Sequence, residues 1–160
     1  MPREREVYME INLNSIGLVR SVRVEAIDDD WNSVESWIEL DDGIPEESLS
    51  GLGDFSHIEV LYYFNKVDPS KISFGAEHPR ENPEWPKVGI FAQRKKSRPN
   101  LIGATIVRLI RIEGRKIFVS GLDAIDGTPV LDIKPVFNEY LPAGPVVQPS
   151  WVGELMAHYW

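Results

Sequence analysis

Eleven polar side chains stand where apolar runs give way to turns: Asn65, Lys66, Gln93, Arg94, Arg98, Asn100, Asp123, Asp126, Thr128, Asp132 and Lys134. Guanidinium and ammonium groups suit a phosphate or carboxylate, amides suit neutral polar groups, and carboxylates suit a cation. The set is therefore equipped to bind something polar or anionic. It is poorly equipped for hydrolysis, because no serine has a base nominated beside it. No P-loop, His-Glu-x-x-His helix or Gly-x-Ser-x-Gly elbow is present. His57, His78 and His158 show no metal-ligand spacing, and the cysteine count of zero excludes thiolate metal sites and thiol catalysis. No metal is expected. Asp28-Asp29-Asp30 lacks the alternating ligands of a calcium loop and reads as a solvated turn.

Charge gives a second clue. The chain carries a net −8, yet residues 87–116 hold nine basic residues (Lys87, Arg94, Lys95, Lys96, Arg98, Arg108, Arg111, Arg115 and Lys116) against the single acid Glu113. A basic island in an acidic chain has the form of an anion-binding face, or of a solvated hairpin with charged ends.

The elements that must position these groups are mostly strands. Residues 1–13 are mixed and charged, a loose arm or an edge strand. Asn14–Val24 reads as a first strand broken near Ser21, and Trp31–Leu40 as a second. Ile44–Gly51 suits one short helix, with Pro45 and two acids in the first turn. Gly51-Leu-Gly-Asp-Phe-Ser56 has part of a dinucleotide-binding fingerprint but precedes a strand instead of following one, so its glycines are turn residues. His57–Phe64 is almost wholly apolar, as a strand covered on both faces would be, with His57 packed and hydrogen-bonded. Pro69, Pro79, Pro83 and Pro86 make 69–87 a long loop. Val88–Phe91 is a short buried strand, and Arg94–Gly103 a basic loop with a tight turn at Pro99-Asn100. Ala104–Ile112 and Lys116–Ser120 form a hairpin about Glu113-Gly114. Asp126-Gly127 turns into the strand Val130–Ile133. Four prolines make 135–150 an irregular strap, and Trp151–Trp160 has near-helical apolar spacing that suits docking on the body or on a second subunit.

A chain of 160 residues with 42% apolar content is one globular domain. About eight strands are expected, and closing the sheet removes exposed edges. The fold class is therefore mainly β, a single-domain closed or nearly closed β-barrel with short helices and long loops. No run is long enough to span a membrane. Met1–Glu6 lacks the apolar core of a secretion signal, which with the missing cysteines points to the cytoplasm. The residues by themselves say only that a β domain binds something polar or anionic.

Phe55-Ser-His57, Gly89-Ile-Phe-Ala-Gln-Arg94, Arg98-Pro-Asn-Leu-Ile-Gly103 and Asp126-Gly-Thr-Pro-Val-Leu-Asp-Ile-Lys-Pro135, with Ile16-Gly-Leu-Val-Arg-Ser21 ahead of them, resemble the TrmO/YaeB (TsaA-like) family in motif and order. The resemblance covers residues 14–137 as a β-barrel domain and leaves 138–160 as a C-terminal strap and tail. It implies a homodimer that binds S-adenosylmethionine and methylates N6 of N6-threonylcarbamoyladenosine beside the tRNA anticodon. It further implies a cofactor pocket from Asn65, Lys66, Phe91, Arg94, Arg98 and Asn100. The loop Asp123, Ala124, Ile125, Asp126, Gly127, Thr128 and Pro129 would close it, with Arg94, Lys95, Lys96 and Arg98 meeting RNA. No catalytic base is assigned; Asp126 is a candidate that an Asp-Gly turn also explains. Leu101 stands where the family often has proline, a mild loss of rigidity. Val22–Trp31 replaces a Pro/Arg/Gln-rich segment.

Overall fold

The computed structural model describes residues 9–160; the first eight residues of the expected arm lie outside the described part, and 9–13 form no strand. Among the described residues there are eight strands: β1 (Gly17–Ser21), β2 (Glu35–Leu40), β3 (His57–Tyr63), β4 (Ala76–Glu77), β5 (Val88–Gly89), β6 (Ile102–Glu113), β7 (Lys116–Ser120) and β8 (Pro129–Pro135). Six of them close a barrel in the order β1-β2-β7-β6-β3-β8, every pairing antiparallel, and β4 and β5 make a separate two-stranded ribbon. The closed barrel expected from the sequence is thus observed.

Alternation builds it. Val19, Ile38, Ile58, Val60, Val107, Ile117, Val119 and Val130 point inward from six strands and are fully buried or nearly so. Each such side chain contributes roughly 1.5–3 kcal/mol, and β-branched residues suit the pleat. Bulges between Leu61 and Tyr62 and between Leu109 and Arg111 break the register, and bulges of this kind let strands bend around a small barrel.

Several local expectations need correction. β3 alternates, with His57 and Tyr63 exposed and Glu59 and Leu61 half-buried, because its outer face is the barrel's exterior. His57 is accordingly a surface residue, its Nδ1 2.7 Å from Ser56 Oγ. The second strand starts at Glu35; Trp31 is buried in the loop before it. Two short 3-10 turns, Glu46–Leu49 and Leu52–Asp54, replace one helix. The proline-rich stretch contains β4, and Val88–Phe91 is strand only to Gly89. A 3-10 turn then buries Ile90 and leaves Phe91 80% exposed. The tail holds α1 (Ser150–Leu155), docked on this chain's own body. Among the described residues no helix is long and apolar enough to cross a membrane.

Candidate functional site

Since strand direction alternates all the way round, the C-terminal ends of β1, β3 and β7 and the N-terminal ends of β2, β6 and β8 share one mouth. Three connections open there: 22–34, 64–101 and 121–128. The sequence-predicted pocket residues all lie on the last two of these or at the strand start that follows. Backbone bonds tie the connections together. Phe64 N–H donates to Leu101 O at 2.9 Å, which sets Asn65 and Lys66 beside the basic loop. Asp126 N–H donates to Arg23 O at 2.7 Å and Gly127 N–H to Val19 O at 2.8 Å. Gly127 has φ 81°, a left-handed turn position open to glycine at no steric cost.

At this mouth a single carboxylate collects three hydroxyls. Asp123 Oδ1 accepts from Tyr62 at 3.0 Å and from Thr105, and Oδ2 accepts from Tyr159. Tyr62 and Thr105 rise from inward positions on β3 and β6, whereas Tyr159 arrives from the tail. Burial, reinforced by the Asp123 charge, pushes both phenols well above the ordinary tyrosine range, so they remain donors. Arg94 bonds the Ala104 carbonyl, next to Thr105, close enough for its charge to act on both phenols in the opposite sense.

The remaining candidates divide. Asn65, Lys66, Phe91, Lys96 and Asn100 are exposed at this end of the fold. Arg98 is turned inward, its guanidinium donating to Gln93 O at 2.7 Å, and Gln93 itself donates to Glu77 O and Val88 O, both at 3.1 Å. Lys95 is ion-paired with Glu77, whereas Lys96 has no ion pair among the described residues. Asp126 Oδ1 accepts from Ser21 N–H at 3.1 Å, and Thr128 Oγ1 donates to Ile125 O at 2.7 Å, so both side chains shape the turn. Ala124 and Thr128 are buried, with Ile125 and Pro129 half-buried beside them. Asp132 and Lys134 pair with each other at 2.8 Å along β8 and do not join the cluster. Asn100 and Leu101 both have positive φ, 62° and 54°. Such backbone is costly for residues with a Cβ and concentrates at ligand clamps. It also corrects the reading of Leu101: proline, fixed near −65°, cannot follow this path at all.

The basic island is not one face. Arg94–Arg98 precede β6, while Arg111 stacks on Phe118 at 3.9 Å and Arg115 bonds the Ile44 carbonyl at the opposite mouth. Two grooves, of about 470 and 370 Å³, lie on the outer wall around Ile106; the larger runs past Arg108 to Asn32, Gly121 and Trp160, and neither is lined by Asp123, Arg94 or Lys96. The site is assigned to the mouth, where the chemistry converges, and not to the grooves. Among the described residues no group of three or more histidines or acids could hold a metal. Sequence reasoning missed Tyr62, Thr105 and Tyr159. The signal for the first two was a hydroxyl at an inward position of an otherwise apolar strand; nothing marked Tyr159.

A closed antiparallel barrel with its polar groups gathered at one mouth defines a small-barrel binding protein, distinct from the doubly wound nucleotide folds that bind at the ends of parallel strands. The sequence profile of the tRNA-methyltransferase O N-terminal domain matches residues 16–140, and the chain belongs to this family. It is 44% identical over 105 residues to the human "tRNA (adenine(37)-N6)-methyltransferase", a match spanning 66% of this chain and 23% of that protein. It is 36% identical over 137 residues to the "Probable S-adenosyl-L-methionine-binding protein" of Methanothermobacter thermautotrophicus, covering 82% of this chain and 93% of the relative. The crystal structure of TrmO from Pseudomonas aeruginosa superposes with a TM-score of 0.74 at 29% identity, covering 92% of this chain and 64% of the other. The chain thus spans about a quarter of the length of its mammalian relatives and under two thirds of the bacterial structure.

Proposed function

We propose that this chain binds S-adenosylmethionine at the mouth and transfers its methyl group to N6 of N6-threonylcarbamoyladenosine next to a tRNA anticodon. The observation that carries the reading is that the 64–101 and 121–128 connections open at one mouth, where Asp123 of the second bonds Tyr62 and Thr105 on the two strands that flank the first. The names of the human and archaeal relatives support the activity and the cofactor respectively.

The residues fit the group. A sulfonium is a cation, and the exposed face of Phe91, three residues before Arg94, favours one. The methionine end carries a carboxylate that Arg94 suits, and Asn65 and Asn100 offer amides for the nucleoside. When bound, the cofactor supplies an electrophilic methyl carbon. The protein's part is positioning: a bimolecular displacement gains most from holding its partners in line. Lys96 and Arg94 meet RNA phosphates, with Lys95 and Arg98 bracing the loop behind them. The transferred group replaces one N–H proton, which leaves to water or a nearby carboxylate, so no strong base is required beforehand. A second copy of the chain completes a homodimer in this reading, and the site of action is the cytoplasm, where tRNA is modified.

Incubation with methyl-labelled S-adenosylmethionine and bulk tRNA, followed by nucleoside analysis, tests it. Label is expected in the threonylcarbamoylated adenosine. A thermal shift with S-adenosylmethionine separates cofactor from acceptor: stabilisation of about 2.7 kcal/mol is expected at a hundredfold excess over Kd. No stabilisation and no label would overturn the proposal.

A further inference from the structure

The tail supplies the one donor to Asp123 that the barrel does not. Tyr159 belongs to a segment with little hold on the body. Residues 141–150 are exposed throughout, α1 has six residues and none of them is buried, and a helix so short is not stable on its own. Four described hydrogen bonds fasten the segment, beside the half-buried side chains of Trp151, Val152, Leu155, Met156 and Tyr159. Asp30 N–H donates to His158 O at 2.9 Å, Trp31 N–H donates to Tyr159 O at 2.8 Å, Trp85 Nε1 donates to Glu154 Oε2 at 2.7 Å, and Tyr159 donates to Asp123. Trp160 lies beyond, in the outer groove beside Gly121. By contrast, Tyr62 and Thr105 are built into strands and cannot leave Oδ1 without opening the barrel.

What Tyr159 presents to Oδ2 is a planar aromatic ring with a hydrogen-bond donor at its edge. An adenine with an N–H at N6 presents the same chemistry. We propose that Asp123 Oδ2 is the acceptor for the N6–H of a bound adenine, and that Tyr159 is its intramolecular stand-in, displaced when the adenine binds. Tyr62 and Thr105 are then positioning residues that hold the carboxylate still. The inference rests on the function proposed above, and the adenine is that of the cofactor or that of the acceptor nucleotide, which the two arms of the test distinguish.

The test measures hydrogen exchange at the amides of Asp30 and Trp31 in the full chain, with S-adenosylhomocysteine in one arm and an anticodon stem-loop RNA in the other. Binding itself is followed by calorimetry. Ligands ordinarily protect amides; here one arm is expected to raise exchange at these two positions, and which arm does so identifies the adenine. Tyr159→Phe is expected to bind that ligand about tenfold more tightly, the worth of one hydrogen bond to a charged group released from competition. Glu154→Ala, which loosens the tail without touching Asp123, shifts affinity the same way by less. Binding with unchanged or increased protection, or weaker binding by Tyr159→Phe, overturns the tail's role and leaves the proposed function standing. Absence of binding by both the wild-type chain and Tyr159→Phe removes both.

Discussion

Replacing Gly103 by alanine tests whether the Asp123 cluster depends on close backbone approach. Gly103 pairs with Tyr62 across β3 and β6, and the tyrosine ring lies over it. A Cβ there would stand 2.5 and 2.6 Å from Tyr62 Cε2 and Cζ and 2.9 Å from Phe64 Cζ. Carbon atoms rest at about 3.5–4.0 Å, so the ring must retreat by roughly 1 Å. It has little room, since Tyr62 is 2% exposed, packs edge-on against Phe64 at 5.4 Å and is bonded to Asp123. Overpacking of this kind costs about 1–3 kcal/mol, which for a domain of this size lowers Tm by about 2–12 °C. A double-mutant cycle isolates the cause. Tyr62→Leu lacks the two nearest ring atoms, so Gly103→Ala made in that background should cost at least about 1 kcal/mol less, leaving only the Phe64 contact. Calorimetric melting of the four proteins measures it. Additive losses, or a cost below about 0.5 kcal/mol in the wild-type background, would refute the reasoning.

Three further outcomes are expected. Leu101→Pro should destabilise by about 3 kcal/mol or more, because the native φ is 54° and the amide donates to Arg98 O at 3.1 Å, both incompatible with proline; a denaturation midpoint within error of wild type would count against the loop geometry. On the alkaline side, Tyr62 and Tyr159 hold their protons more tightly folded than unfolded. Their contribution is full below the ordinary tyrosine value near pH 10 and is lost as pH rises beyond it. Tm should therefore fall more steeply above about pH 10 in the wild type than in Tyr159→Phe, and parallel curves would contradict the buried cluster. Lys96→Ala should lessen the salt dependence of tRNA binding by about 0.7 per lost contact on a logarithmic scale with Tm unchanged, whereas Lys95→Ala should leave the slope and lose up to about 1 kcal/mol of stability with its partner Glu77. Equal slopes for the two variants would show that the ion pair does not divide their roles.

The barrel was legible because its strands obey period two. Val19, Ile38, Ile58 and Ile117 sit in alternating or apolar runs bounded by turn residues, and the Glu113-Gly114 hairpin was found where it is. What failed, failed for physical reasons. β4 and β5 have two residues each, too short for any period to register, and their pairing is fixed by the buried amide of Gln93 reaching two carbonyls. β3 seemed doubly covered because Leu61 and Tyr63 are apolar, but a barrel's exterior tolerates such residues half-exposed. Phe91 followed buried Ile90 in sequence and turned outward because the chain leaves β5 in a 3-10 turn.

The candidate site was legible as loops and illegible as a cluster. Topology alone carries 64–101 and 121–128 to one mouth once the strands are antiparallel, so residues far apart in sequence could be grouped at one end of the barrel. Charge summed along the chain misled, because it treats the β6–β7 hairpin as one place. β6 has twelve residues, and at about 3.3 Å per step its ends lie up to roughly 36 Å apart, with Arg98 before one end and Arg115 beyond the other. Salt screens charges over about 8 Å, so the far cluster adds nothing at the mouth. With Lys95 and Arg98 already engaged by Glu77 and by carbonyls, Lys96 and the exposed Arg94, itself bonded to the Ala104 carbonyl, are what this loop has left to present to an anion there. Under the proposed function, RNA at this mouth is met by that short stretch and by bonds to the nucleotide itself, and selectivity would rest on Asp123 and the connections around it.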